Sequence, residues 1–313
     1  MTRRSIPLFS LASAVLIALV ASMARADDYL PLFNDAFKSQ PTVYKKQQQL
    51  VQPEDWYNAF TFDTEQTKYH GYSEFVDKNT AHELNLIGSG QGGKGFRFGA
   101  YTGDPKTYRR PTIRMKSTQT YKNGVYVFTI NKAPVACSLW ASIFTQSPKT
   151  DSVWRSEIDI FEYANGYTRP NAIVIHTAGN CDATDMLRNS LTQGDKLMNT
   201  CTKRLGVSGR RGCGIYLSQD QSSPAVPKNM NRQKTVIVTE RSESAINAWF
   251  WTYDDAPEAM KSVTQIDKLD TKSLGKPILS LPAWKACTTD PALDSDHYIS
   301  KCTCGSALQW PTS

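Results

Sequence analysis

The chain reads as an all-β protein, a β-jelly-roll sandwich of two antiparallel sheets. Three observations predict this. Short β-branched or aromatic runs recur along the 313 residues, Gly, Pro, Asn and Asp clusters separate them, and no long stretch holds a helical period. Many short strands with polar turns must pair into sheets and bury one face of each, so a sandwich is the economical solution.

The elements follow in chain order. Met1-Thr2-Arg3-Arg4 is basic, Ile6 to Val20 is apolar, and Ala24-Arg25-Ala26 has the small-residue spacing of a cleavage site. Residues 1–26 therefore read as a signal peptide removed after Ala26, which predicts a secreted, extracellular protein. The apolar run is shorter than the ~20 residues a membrane span needs. No later segment is apolar enough to span, so no membrane partner is expected after cleavage. Residues 27–313 are expected to form one domain, working as a monomer. Thr80 to Leu86 allows one short turn of helix. Gly88-Ser89-Gly90-Gln91-Gly92-Gly93-Lys94-Gly95 matches G-x-G-x-x-G, yet Gly95 stands where a phosphate loop needs Ser or Thr. It reads as a hairpin connection. Residues 125–130, 172–177, 235–239 and 245–251 read as strands, with turns at Lys122-Asn123-Gly124 and Ala178-Gly179-Asn180. Trp249 and Trp251 share one face of their strand, which suits core packing.

Charge narrows the partners. The formal net charge of +7 falls to +4 once Arg3, Arg4 and Arg25 leave with the signal peptide. That balance, with Arg109-Arg110 and Arg210-Arg211 as isolated pairs, gives no nucleic-acid-binding stripe. Seven cysteines follow the signal, namely Cys137, Cys181, Cys201, Cys213, Cys287, Cys302 and Cys304. In an exported chain they predict disulfides, with at least one cysteine left over. Cys302-Thr303-Cys304 lacks a second pair at zinc-site spacing, so neither a metal nor a cofactor is expected.

The chemistry concentrates in Glu157-Ile158-Asp159-Ile160-Phe161-Glu162, three carboxylates within six residues of an otherwise apolar strand. Like charges along one strand repel and are costly to desolvate, so such a cluster needs a reason. Side chains alternate along a strand, which puts Glu157 and Asp159 on one face and Glu162 on the other. A single β-bulge between Asp159 and Glu162 would bring all three onto the same face. The α-carbons of Glu157 and Glu162 would then stand about 13 Å apart. Their side chains could bring the carboxyls to the ~5–5.5 Å separation of a retaining glycosidase. Asp159 between them would raise one pKa and keep a proton available for a leaving oxygen.

The motif resembles the Glu-[hydrophobic]-Asp-[hydrophobic]-[hydrophobic]-Glu signature of glycoside hydrolase family 16, and the chain is most similar to its fungal-type endo-1,3(4)-β-glucanases. The likeness extends over roughly Phe60 to Gly305. It includes His70-Gly71-Tyr72-Ser73-Glu74-Phe75-Val76-Asp77, then Arg110-Pro111-Thr112-Ile113-Arg114 with the hairpin expected after it at Tyr121-Lys122-Asn123-Gly124. Ile175-His176-Thr177, Gly212-Cys213-Gly214, Ile246-Asn247-Ala248-Trp249-Phe250 and Gly275-Lys276-Pro277 follow in the family's order. The resemblance implies a substrate cleft on the concave face and a retaining double displacement on a β-glucan. Glu157 would be the nucleophile, Glu162 the acid and base, and Asp159 the residue that tunes the pair. His176 would lie near the nucleophile's subsite, Arg110 would donate to sugar hydroxyls, and Trp140 and Trp154 would offer stacking platforms.

Departures from the family pattern fall around the acids. Fungal members usually read Gly-Thr-Trp-Pro-Ala-Phe-Trp where this chain has Ser138-Leu139-Trp140-Ala141-Ser142-Ile143-Phe144. Arg155-Ser156 replaces an Asn-Gly, and Leu274 stands where many members carry Trp. Swapped aromatics alter subsites, so linkage preference is the open quantity. Three classes follow: an endo-acting β-1,3 or mixed β-1,3/1,4 glucan hydrolase, a cell-wall transglycosylase using the same covalent intermediate, and a non-catalytic glucan-binding jelly roll. The third predicts erosion of at least one acid, and all three are present; the first is favoured, and the second shares its acids.

Overall fold

The structure, a computed structural model, describes residues 43–66, 73–93, 95–103, 109–136, 139–148, 156–164, 171–177, 195–196, 201, 212–217, 222–242, 245–282 and 297–305. The signal peptide, the turn at 178–180, Trp154, Cys137, Cys181 and Cys287 lie outside the described residues. The strands run β1 (Val43–Lys45), β2 (Phe60–Phe62), β3 (Ser73–Phe75), β4 (Ile87–Ser89), β5 (Phe96–Phe98), β6 (Arg110–Tyr121), β7 (Gly124–Ile130), β8 (Leu139–Gln146) and β9 (Glu157–Ala164). They continue as β10 (Ala172–His176), β11 (Asp195–Lys196), β12 (Cys213–Tyr216), β13 (Thr235–Arg241), β14 (Ala245–Thr252), β15 (Lys268–Asp270), β16 (Leu279–Pro282) and β17 (His297–Gly305). All four runs read as strands from sequence are strands here.

Two sheets organise the chain. The larger has the order β11-β12-β10-β9-β8-β17-β6-β2, with β3 added in parallel beside β6. The smaller has the order β16-β14-β13-β7 and is antiparallel throughout. Between them, Ile158, Ile173, Ile175 and Ile215 pack against Ile246, Ala248, Leu279 and Leu281. Farther along, Ile143, Ile160, Phe161 and Tyr163 meet Ile237, with Phe128 and Phe250 against them. Period-two alternation thus gives each central strand one face in the shared core, and it leaves the other face of the large sheet for the acids.

The far side of the smaller sheet is also covered. Val236, Val238 and Trp249, with Trp251 beside them, pack under Met260, Leu269 and Leu274, and the Trp249 indole donates to the Gly275 carbonyl at 2.9 Å. Core packing is therefore the role of both tryptophans, as their shared face suggests.

Short helices fill the corners. α1 (Pro53–Ala59) starts on Pro53, and the Asp55 carboxylate accepts from the Val51 and Gln52 amides at 2.8 Å each. α2 (Lys78–Glu83) is capped by Asp77, which accepts from Thr80 N at 2.9 Å. It begins two residues before the turn read from sequence. The glycine-rich segment is the hairpin connection expected of it, joining β4 to β5, with Gly92, Gly93 and Gly95 at positive φ.

One expectation is corrected. β6 and β7 do not form a hairpin about Lys122-Asn123-Gly124, because β6 pairs with β17 and β2 while β7 pairs with β13. The connection crosses from one sheet to the other. The Tyr126 hydroxyl donating to the Lys122 carbonyl at 2.8 Å ties it down.

Candidate active site

Strand β9 carries the bulge that the acid spacing requires. Against β10, Glu162 faces Ala172 and Asp159 faces Val174, so three steps on β9 match two on its neighbour. Against β8, Phe161 faces Ile143 and Asp159 faces Phe144, which leaves Ile160 as the extra residue. Ile160 is fully buried between the sheets. Both neighbours record the same interruption, and it returns Glu162 to the face shared by Glu157 and Asp159. The burial pattern agrees. Ile158, Ile160, Phe161 and Tyr163 fill the core, while Glu157 and Glu162 are half-buried on the opposite side.

Glu162 lies in the most demanding environment. Its carboxyl accepts from the Trp140 indole Nε1 at 2.7 Å, and its backbone amide donates to Asn171 Oδ1 at 2.8 Å. Phe75 and Phe144, buried with Trp140 against them, form an apolar bed beside that indole. Burial raises the pKa of Glu162 most, the charges of Asp159 and Glu157 raise it further, and His176 and the Trp140 hydrogen bond oppose them. The outcome is a carboxyl pushed from an ordinary 4.5 up to about 8.

Glu157 has different company. Gln146 on β8 and His176 on β10 face it across the ladder, and the Gln146 amide donates to Oε2 at 3.0 Å. Asp159, buried at 1% exposure, meets His176 Nε2 through Oδ2 at 3.2 Å. The histidine is itself packed from below. Gly212 has φ +65°, and a Cβ there would fall 2.7 Å from the imidazole Cε1 and Nδ1 and 2.5 Å from Val174 Cγ1. Only glycine suits both that backbone and that approach. Cys213, next to Gly212, is bonded to Cys201 in a disulfide, and the Cys201 carbonyl accepts from Thr177 N at 2.8 Å. Closing a loop of 12 residues contributes about 3 kcal/mol in the chain-entropy account.

The residues singled out by sequence separate into groups. Glu157, Asp159, Glu162, His176 and Trp140 come together. Trp154 lies outside the described residues. Arg110 is on β6, separated from β9 by β17 and β8, and its Nη1 donates to the Tyr101 and Gly103 carbonyls. Arg114, four residues on, lies in the cross-strand row that runs through Cys302 and Ser142 to Glu162. Its guanidinium pairs with Asp63 at 3.4 Å and sits 5.7 Å over the Phe75 ring. Sequence reading missed Gln146 and Asn171, which reach the site from neighbouring elements that no local motif announces, and it quoted Phe75 only as part of the His70–Asp77 segment. Among the described residues no group of three His, Cys, Asp or Glu side chains is arranged to hold a metal ion.

A carboxyl that keeps its proton through neutral pH, beside one facing an amide donor, can divide the work of acid and anion. The XgeA-like, catalytic GH16 domain family matches residues 60–310. An endo-1,3(4)-β-glucanase of Arthroderma benhamiae is 28% identical over 234 residues, covering 72% of this chain and 47% of that protein. The endo-1,3(4)-β-glucanase xgeA of Emericella nidulans is 26% identical, covering 72% of this chain and 34% of the relative. The chain thus spans less than half the length of these relatives. Among solved structures, laminarinase 16A of Phanerochaete chrysosporium, with two β-glucans in its donor and acceptor sites, superposes with a TM-score of 0.68. It is 22% identical, over 85% of this chain and 86% of that one. An elongating family 16 β-1,3-glucosyltransferase superposes at 0.65 with 19% identity, over 84% of this chain and 82% of the other. With four-fifths of the chain inside the family match and the jelly roll shared with these structures, the chain belongs to glycoside hydrolase family 16.

Proposed function

We propose that the protein is a secreted, endo-acting, retaining β-glucan hydrolase that cleaves β-1,3 or mixed β-1,3/1,4 bonds. The single observation that carries this reading is the bulge at Ile160, which gathers Glu157, Asp159 and Glu162 on one face. Glu157 attacks the anomeric carbon, forming a carbon–oxygen bond as the glycosidic bond breaks, and Glu162 passes its proton to the leaving oxygen. Water then enters. Glu162, now ionised, takes a proton from it while the bond to Glu157 breaks, and the anomeric configuration is retained. Burial, and next the charge of Asp159, keep Glu162 protonated between turnovers. The glucan class comes from the names of the curated relatives, and the signal-peptide pattern of residues 1–26 supports secretion.

The test is direct. Purified protein is incubated with laminarin, lichenan and a β-galactan, and the products are sized. Shortened oligosaccharides of retained configuration from laminarin or lichenan are expected, with the galactan untouched. Glu157→Gln should keep the fold and glucan binding while cleavage falls at least 1,000-fold, on the order expected for losing a covalent nucleophile. Undiminished cleavage by that variant overturns the assignment. A ladder of products longer than the substrate would instead favour transglycosylation, the activity named for the elongating glucosyltransferase of the same fold.

A further inference from the structure

Glu157 faces a neutral amide across the ladder, and neither composition nor motif required one there. Gln146 is the last residue of β8 and stands directly opposite Glu157. Its Nε2 lies 3.0 Å from Oε2. An ionised carboxylate only accepts, so the amide must present its NH2 rather than its oxygen. Immediately beyond this pair the two strands are clamped. Ser147 N donates to the Ser156 carbonyl at 2.9 Å, and Ser156 N donates to Ser147 Oγ at 3.1 Å. Both serines are buried, at 1% and 0% exposure. The clamp on one side and the bulge on the other fix the register that sets Gln146 against Glu157.

We propose that Gln146 is a positioning residue for Glu157, fixing the rotation of its carboxylate through Oε2 and favouring its ionised form. This rests on the reading of Glu157 as nucleophile. A glutamate reaches its target through three torsions, and locking the last one places the attacking oxygen before the substrate arrives. Asp159 and Glu162 on its own strand and His176 on β10 also face Glu157. The two acids oppose its ionisation, so the Gln146 donor has a defined electrostatic task.

The experiment uses 2-deoxy-2-fluoro-β-laminaribiosyl fluoride, a slow substrate that leaves its sugar on the nucleophile. Labelling is timed across pH and located by peptide mass spectrometry for the full chain, Gln146→Met and Gln146→Glu. Met keeps the shape of Gln without its donor. Gln146→Met should label Glu157 roughly 10- to 100-fold more slowly, the loss expected for one hydrogen bond to a charged group. The acidic limb of the rate should move to higher pH, with the probe's reversible binding little changed. Gln146→Glu, which sets a further acid against the nucleophile, should be slower still above the acidic limb. A merely structural role would lower the melting temperature without moving the limb or producing that order. Labelling of Glu157 in Gln146→Met at the original rate and with an unmoved limb overturns the proposal. Labelling of the unaltered protein at a residue other than Glu157 overturns the mechanism itself.

Discussion

Two glutamates on different sheets show how one side chain serves opposite ends. Glu240, on β13, is buried at 5% exposure and is met by neutral donors. Asn247 Nδ2 lies 2.7 Å from one oxygen and Thr271 Oγ1 lies 2.9 Å from the other. Ser280 extends the network by donating to Asn247 at 2.7 Å, and burial, with the charge of Glu240 next, raises the pKa of the Tyr44 phenol. Glu162 is met by one indole donor and by two further carboxylates on its own strand. A buried carboxylate with enough donors is a structural anchor, because breaking the set strands several polar groups. One buried without that set of donors, and beside two further acids, keeps a proton to give.

The contrast breaks if the two glutamates respond alike to amide substitution. Glu162→Gln should lower hydrolysis of laminarin roughly 100- to 10,000-fold, the range for losing a general acid, and yet raise thermal stability at pH 7. The sign follows from linkage. A carboxyl whose folded-state pKa is raised contributes stability that is complete below its ordinary value of 4.5 and is lost as pH rises to about 8. At pH 7 the fold therefore carries a cost on the order of 2–3 kcal/mol, which the amide relieves. Glu240→Gln should do the reverse, costing about 1–3 kcal/mol because one donor loses its acceptor, with kcat/KM within about twofold. Calorimetry at pH 5 and pH 8 beside initial rates reads both. Destabilisation by Glu162→Gln at pH 8 would remove the distinction.

A smaller effect should come from the glycine beneath the histidine. Gly212→Ala forces a methyl toward Val174 and the His176 ring at a positive-φ position. The backbone alone costs about 1–2 kcal/mol. Displacement of His176 from Asp159 should lower kcat about 10-fold, since sub-ångström errors near a reacting centre are amplified. Gly124→Ala has open space around its Cβ and an ordinary φ, so it serves as the control with unchanged kcat. Equal losses from both would show that general destabilisation, not the histidine, governs the rate.

Much of this was legible in the sequence for a physical reason. Periodicity and turn chemistry are local, so residues 125–130, 172–177, 235–239 and 245–251 could be read as strands without knowing their partners. The bulge was legible because the chemistry of the acids demanded one face while their spacing denied it. Partners across the ladder were not. Gln146 is eleven residues from Glu157 and meets it only through the pairing of β8 with β9. Asn171 reaches the Glu162 amide in the same way. The supposed hairpin at Lys122-Asn123-Gly124 failed for the complementary reason. Its turn chemistry was right, but whether a turn joins two strands of one sheet or crosses between sheets is decided by the core. α1 was not read from the sequence, although Pro53 and the acidic pair Glu54 and Asp55 mark its first turn.

The finest distinction concerns Trp140, which sequence suggests as a stacking platform and which donates to Glu162 Oε1 in the structure. These roles predict different kinetics. A platform contributes uniform binding, so its loss raises KM and leaves the pH profile in place. A donor to the carboxylate lowers the pKa of Glu162, so its loss lets burial and the neighbouring acids push that carboxyl beyond about 8. Trp140→Phe removes the indole N–H and keeps an aromatic face, though a smaller one. The alkaline limb of kcat/KM, set near 8 by the need for a protonated Glu162, should then shift upward by less than about one pH unit. An unmoved limb with a raised KM would return Trp140 to the sugar. A shifted limb with KM unchanged would make it part of the machinery that keeps the acid only just protonated enough to let go.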